Sequence, residues 1–164
     1  MRAMMKKILL SLAAVLIIMQ FFTIDKSTPS TSPSSDFLVV TTPTSEVASI
    51  LKSACYDCHS YDTQYPWYSN VTPASWFLKK HINDGRHELN FSVWDDYTTK
   101  RKDHKLEEAS ELILDNEMPL LPYTWLHDKA RLTDTERKLI ADWFDKVRTD
   151  LTFSPDSTSI KLQY

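Results

Sequence analysis

The sequence has 164 residues, of which 42% are hydrophobic and 25% are charged, and its formal net charge is −3 at pH 7. This length suits one domain with an additional segment. Because contacts to phosphate groups need clustered Lys and Arg, a net acidic chain argues against nucleic-acid binding.

The glycine content indicates a helical fold. Gly85 is the single glycine, whereas strand-rich folds need glycine at tight hairpins and bulges. No stretch alternates apolar and polar residues over the length of a strand pair. We therefore predict an all-α fold.

Residues 1–24 are predicted to be a signal anchor or a signal peptide. The basic residues Arg2, Lys6 and Lys7 precede an apolar run over residues 8–24. No pattern of small residues marks a cleavage site after this run, which favours an uncleaved anchor. Since the basic end stays in the cytoplasm, the remainder is expected at the cytoplasmic membrane, facing the periplasm. The alternative is a soluble periplasmic protein after cleavage.

Three further regions follow this segment. Residues 25–43 are rich in Ser, Thr and Pro, and we predict a disordered tether there. A folded domain is expected over residues 44–150. Residues 151–164 are expected to be a C-terminal tail.

The folded domain should contain four helices. The first carries Val47, Ile50, Leu51 and Ala54 at helical spacing and ends near Cys55. The others are expected from Thr72 to Gly85, from Lys105 to Asp115, and onward from a capping box formed by Thr133 and Glu136. The first and last helices should pack together through Ile50, Leu51, Trp143 and Phe144.

The two cysteines lie in one short motif. Cys55-Tyr56-Asp57-Cys58-His59 is a C-x-x-C-H sequence, which is typical of covalent attachment of c-type haem. Two thiols at this spacing can reach the two vinyl groups of one porphyrin, and the adjacent His59 can ligate the iron. We therefore predict one covalent haem c within a small, cytochrome-c-like helical domain.

Three alternatives compete with this interpretation. A thioredoxin-like redox motif needs a βαβ setting, which the sequence does not indicate. A zinc site would need further ligands such as His81 and His87, which lie far along the chain from Cys58. The third alternative is an ordinary disulfide between Cys55 and Cys58.

The sixth iron ligand is predicted to be Met118. It is the only methionine after the first 19 residues, and Pro119 ends helical structure directly behind it. A thioether is a soft, neutral iron ligand. His81 is the alternative ligand, and Arg86 is a candidate partner for a haem propionate.

The chain resembles the bacterial haem-binding domain family, a group of small exported c-type cytochromes. The resemblance covers about residues 46–147 and implies haem attachment at Cys55 and Cys58 with ligation by His59. The segments that carry it are Ser53-Ala54-Cys55-Tyr56-Asp57-Cys58-His59-Ser60, Tyr65-Pro66-Trp67-Tyr68-Ser69, Asn83-Asp84-Gly85-Arg86, Leu89-Asn90-Phe91-Ser92 with Trp94, Glu117-Met118-Pro119, and Leu126-His127 with Leu132-Thr133.

The function predicted from these features is electron transfer by a membrane-anchored monohaem cytochrome, held through residues 8–24. Its partner would be a redox protein, unidentified by the sequence, and no catalytic residue is expected. The alternative function is that of a haem-based sensor or a peroxidase-like protein, in which the sixth iron position is open or weakly held.

Overall fold

The computed structural model describes residues 1–152, and within this range the chain is helical, with no strand. The all-α prediction is therefore confirmed for this part of the chain. Single turns of 3₁₀ helix connect several of the elements. The α-helices are α1 (Arg2–Met19), α2 (Phe37–Thr41), α3 (Ser45–Ala54), α4 (Tyr56–His59), α5 (Ala74–Glu88), α6 (Thr99–Leu114), α7 (Leu121–Thr124) and α8 (Asp134–Thr152), and the 3₁₀ turns are Pro33–Ser35, Trp67–Asn70, Phe91–Asp96 and Asp128–Ala130.

Side-chain caps fix where α6 and α8 begin. The Thr133 backbone amide donates to Glu136 Oε2 at 2.8 Å, and the Glu136 amide donates to Thr133 Oγ1 at 3.2 Å. This is the predicted capping box of α8. Thr98 caps α6 by accepting from the Arg101 amide. The prediction that this helix begins at Lys105 was therefore wrong, because the charged stretch before it forms the exposed first turns of α6.

The core lies where α3 and α6 pack against α8. Ile50 and Leu51 of α3 and Phe144 of α8 are buried together, and Trp143 packs against the edge of this cluster. The predicted pairing of the first and last helices of the domain is thus confirmed. The 3₁₀ segment Phe91–Asp96 completes the core, since Phe91 and Trp94 are also buried.

The predicted tether over residues 25–43 extends too far. Phe37 is fully buried, and its ring lies 4.9 Å from Trp94 and 5.8 Å from Phe144 between centroids. Asp36 caps α2 by accepting from the Leu38 amide at 2.9 Å. Burial of the Phe37 ring among other aromatic rings stabilises this segment in spite of the polar residues that precede it. The folded domain therefore begins before residue 44.

The N-terminal helix α1 buries none of its side chains. Among the described residues, no helix combines the length and apolar character needed to cross a membrane. The predicted membrane helix is therefore not supported by the structure. At the other end of the chain, α8 continues to Thr152, and the rest of the predicted tail lies outside the described residues.

Candidate functional site

The C-x-x-C-H motif forms a tight corner between two helices. α3 ends at Ala54, and the short helix α4 then carries Cys58 and His59. The Cys55 amide donates to the carbonyl of Leu51 at 2.9 Å, and the His59 amide donates to the carbonyl of Cys55 at 2.9 Å. Continuous backbone bonding through the corner holds both thiols and the imidazole on adjacent turns.

Cys55, Cys58 and His59 all line one cavity of about 1390 Å³. This volume exceeds the roughly 300–1,000 Å³ of ordinary small-molecule pockets. The charged residues among those described in its lining are Lys105 and four acidic residues, Asp84, Glu88, Glu108 and Glu111. The apolar residues of the wall include Phe77, Leu78, Leu89, Phe91, Leu112 and Leu120. A cavity of this size and character suits a large, flat, mostly apolar ligand.

The His59 ring is oriented by a backbone carbonyl. Its Nδ1 lies 3.0 Å from the carbonyl oxygen of Leu89. Donation from Nδ1 fixes the tautomer and leaves the lone pair on Nε2, which is the usual arrangement of a metal-ligating histidine. Burial lowers the pKa of His59, against the effect of the backbone hydrogen bonds. The imidazole is therefore held neutral and directed by its environment.

The environment of the two thiols favours their protonated form. Burial raises the pKa of Cys55 to about 12 and that of Cys58 to about 11, and neither residue forms a disulfide. A redox-active C-x-x-C cysteine needs a lowered pKa instead. Within the described part of the chain, no three His, Cys, Asp or Glu side chains converge as a metal site would require. The thioredoxin, disulfide and zinc alternatives therefore find no support in this geometry.

Tyr56, inside the motif, ties the corner to the core. Its ring stacks on Phe91 with centroids 5.2 Å apart, and its hydroxyl donates to Asp36 Oδ1 at 2.9 Å. Asp36 is also the cap of α2. The N-terminal part of the domain therefore supports the motif from behind.

Asp57 is the residue between Tyr56 and Cys58 in the motif. Its carboxylate accepts hydrogen bonds from partners other than those of Tyr56. Tyr123 Oη donates to Asp57 Oδ2 at 2.7 Å, and the Gln64 amide donates to Asp57 Oδ1 at 2.7 Å. Burial and the neighbouring carboxylate raise the pKa of Tyr123 well above its ordinary value. Tyr123 therefore stays a neutral donor, and it links α7 to the motif.

Arg86 does not take the role suggested by its position in the sequence. Its Nε donates to the carbonyl of Ser60 at 2.7 Å, its Nη2 donates to Thr63 Oγ1 at 2.9 Å, and its guanidinium lies over the ring of Tyr61. Arg86 is not among the residues that line the cavity. It braces the loop behind His59, so these contacts give no support to the predicted propionate contact.

The prediction that a helix ends at Gly85 was wrong. It lies inside α5, which continues to Glu88. A Cβ at Gly85 would lie 2.8 Å from the carbonyl oxygen of Cys58. The absence of a side chain lets α5 pass directly against the motif.

Both candidates for the sixth ligand line the same cavity as His59. Met118 follows α6, its amide donates to the carbonyl of Leu112 at 3.0 Å, and its carbonyl accepts from Arg137 Nη1 at 2.6 Å. His81 lies on α5, with Nδ1 2.8 Å from the carbonyl of Phe77. The main chain of Met118 is thus fixed from two sides.

Sequence reasoning missed several residues that shape the site. Leu89 acts through its carbonyl, for which a side-chain pattern gives no signal. Tyr123 and Arg137 act over long sequence separations, which one sequence does not reveal. Gly85 did offer a signal, because it is the single glycine of the chain, but that signal was interpreted as the end of a helix.

A family model described as "Haem-binding domain" matches residues 14–146, which is well over half of the chain. No match was found among curated proteins or among solved structures. The matched region begins inside α1, so it includes the segment that joins α1 to the domain.

Proposed function

Because the chain belongs to the haem-binding domain family, we propose that it is a monohaem c-type cytochrome. In this proposal Cys55 and Cys58 each form a thioether bond to the haem, and His59 ligates the iron. One observation carries it: these three side chains line a single large, mostly apolar cavity, with the Nδ1 of His59 held by the Leu89 carbonyl.

The chain's own residues would keep the iron's surroundings constant. Bound haem supplies a one-electron iron couple. Leu89 keeps the His59 ring in one orientation, and Arg137 fixes the backbone of Met118, whose thioether would be the sixth ligand in this proposal. Two neutral ligands on a rigid support suit electron transfer, because little needs to move when the charge changes.

Electron transfer is accordingly the function we favour, with a redox protein as partner. The net acidic chain would steer a basic partner. We propose no catalytic residue. A haem-based sensor or peroxidase-like protein is the second candidate, and one observation favours it: His81 lines the same cavity as Met118, so the cavity would offer a further imidazole if Met118 were only weakly bound to the iron.

We also propose that the domain is exported and held at the outer face of the cytoplasmic membrane. The support is the basic start at Arg2, Lys6 and Lys7, followed by a helix whose apolar side chains are exposed. Cleavage after residue 24 would instead give a soluble periplasmic protein. N-terminal sequencing of the membrane and periplasmic fractions separates the two outcomes.

The electronic spectra of the oxidised and reduced protein test the proposed function, with Met118→Ala and His81→Ala as a matched pair. We expect a low-spin wild-type protein that does not bind carbon monoxide. Met118→Ala should bind it readily, whereas His81→Ala should behave as wild type. A high-spin wild-type protein that binds carbon monoxide at once, and is unchanged by Met118→Ala, would promote the sensor or peroxidase-like function.

A further inference from the structure

The end of α1 is hydrogen-bonded to the domain. Gln20 Nε2 donates to the carbonyl of Thr72 at 2.9 Å, and the Thr72 amide donates to Gln20 Oε1 at 3.0 Å. The Phe22 carbonyl accepts from Thr72 Oγ1 at 3.3 Å and from Trp76 Nε1 at 3.0 Å. These contacts bridge about 50 residues of sequence and hold α1 against the start of α5.

Lys26 extends this attachment. Its Nζ donates to Ser69 Oγ at 2.8 Å and to Asn70 Oδ1 at 2.7 Å, and it lies 5.1 Å from the centroid of the Tyr65 ring. Residues 20–26 therefore run along the segment that precedes α5. The chain that leaves α1 is therefore attached to the domain up to residue 26.

Apolar side chains remain exposed around this attachment. Trp67 is 78% exposed, Phe77 57%, Trp76 43% and Val71 42%. We call these four residues the aromatic rim. Trp67 and Phe77 also line the cavity of the candidate site. The mouth of the cavity and the attachment of α1 thus share one surface.

This surface continues into the apolar side chains of α1. Leu10 is 71% exposed and Ile17 is 64% exposed. Trp76 joins the two surfaces directly through its hydrogen bond to Phe22. Tryptophan prefers the boundary between hydrocarbon and water, where its ring is apolar and its N–H finds a polar partner.

Basic groups flank the same surface of a net acidic chain. Lys26 lies beside Ser69 and Asn70. Lys79, together with the stronger hydrogen bonds from Ser27, lowers the pKa of Asp25. The basic residues at the start of α1 lie at the far end of the apolar helix. Positive charge at these places complements anionic lipid headgroups.

We propose that the aromatic rim rests on the surface of an anionic bilayer, beside the point where α1 meets the lipid, so that the mouth of the haem cavity faces the membrane. This inference rests on the proposed location of the protein. It identifies the electron donor or acceptor as one that approaches from the membrane, since Trp67 and Phe77 border both the rim and the cavity.

Photocrosslinking of the full haem-loaded chain tests the orientation. The photoreactive amino acid benzoylphenylalanine replaces Val71 in the rim, Leu16 in α1 or Asp142 on α8, in three separate proteins. Each is reconstituted in vesicles of phosphatidylethanolamine and phosphatidylglycerol, and lipid adducts are measured by intact mass. We expect adducts at positions 71 and 16, with at least about tenfold less at position 142.

The three positions separate the possible failures. Lipid adducts at position 16 alone would overturn the orientation and leave the membrane location standing. Their absence at both 16 and 71 would overturn the location as well. An adduct between position 71 and a second copy of the chain would overturn the lipid assignment in favour of self-association.

A substitution that removes the hydrogen bonds between Gln20 and Thr72 gives an independent test. Gln20→Ala removes both hydrogen bonds to Thr72, so it should reduce the adducts at position 71 several-fold and leave those at position 16 unchanged. Equal adduct yields at position 71 with and without Gln20→Ala would contradict the proposed role of the attachment. The absorbance of the haem, measured on every sample, shows separately whether the cofactor is loaded.

Discussion

Gly85 lies in direct backbone contact with Cys58: a Cβ at Gly85 would sit 2.8 Å from the Cys58 carbonyl oxygen and 3.2 Å from its carbonyl carbon. Neither neighbour is the flexible end of a side chain, so neither can move away alone. The packing of α5 on the haem motif therefore depends on the absence of a side chain at this position.

Gly85→Ala should destabilise the protein. Replacing a glycine inside a helix ordinarily gains up to about 1 kcal/mol, whereas forcing an extra methyl group into a packed contact costs about 1–3 kcal/mol. We expect a net loss of about 1–2 kcal/mol in the free energy of unfolding, measured by urea titration of the haem-loaded protein. Asn83→Ala, at an exposed position of the same helix, is the control and should be neutral or stabilising. A Gly85→Ala protein as stable as this control would contradict the account.

Phe37→Ala tests where the domain begins. Phe37 is fully buried, so its truncation should reduce the free energy of unfolding by about 3–5 kcal/mol. Val39→Ala, on the same short helix at a residue 55% exposed, should change it by less than about 0.5 kcal/mol. Similar unfolding midpoints for the two variants would mean that residues 37–41 are not part of the cooperative unit.

The position of Phe37 illustrates what a single sequence can miss. The Ser/Thr/Pro composition of residues 27–35 suggested a tether over residues 25–43, but composition alone does not show where such a segment ends. Asp36 caps a short helix that consists of Phe37 and four further residues. The hydropathy averaged over the polar stretch before it hides this capping pattern. Burial of the Phe37 ring places the start of the folded domain before residue 44.

The candidate site also has one part that the sequence could predict and one part that it could not. Spacing and residue type selected Cys55, Cys58, His59 and Met118, and the structure brings all four to one cavity. The contacts that orient them depend on the tertiary fold. The Leu89 carbonyl reaches His59 from 30 residues away, and no property of the Leu89 side chain predicts it.

Arg137→Gln should loosen the hold on Met118. Arg137 Nη1 donates to the carbonyl of Met118 at 2.6 Å and to that of Ile113 at 2.9 Å. Hydrogen bonds to charged groups contribute about 1.5–3 kcal/mol, and we expect a loss of stability of that order. In the reduced protein, a larger fraction should bind carbon monoxide. Lys138→Gln removes the same charge from the neighbouring residue, whose ion pair with Asp142 is exposed. Carbon monoxide binding equal to that of Lys138→Gln would argue against a positioning role for Arg137.

Tyr123→Phe should destabilise the motif from its other side. The change removes the 2.7 Å hydrogen bond to Asp57 and leaves a half-buried carboxylate with one donor fewer. We expect a loss of about 1.5–3 kcal/mol in the free energy of unfolding. Tyr68→Phe is the control, because its hydroxyl lies 3.5 Å from His127 Nε2, at the limit of a hydrogen bond. If both variants unfold at the same urea concentration, Tyr123 does not support the motif.

The proposed covalent bond between the chain and the haem is tested most directly by intact mass after denaturation and acid–organic extraction, on protein made in cells with a haem-attachment system. We predict that the wild-type chain retains the mass of one haem, that Cys55→Ala and Cys58→Ala each retain less, and that the double variant retains none. A wild-type chain that returns to the mass of the bare polypeptide, with all haem in the organic phase, would contradict attachment at Cys55 and Cys58.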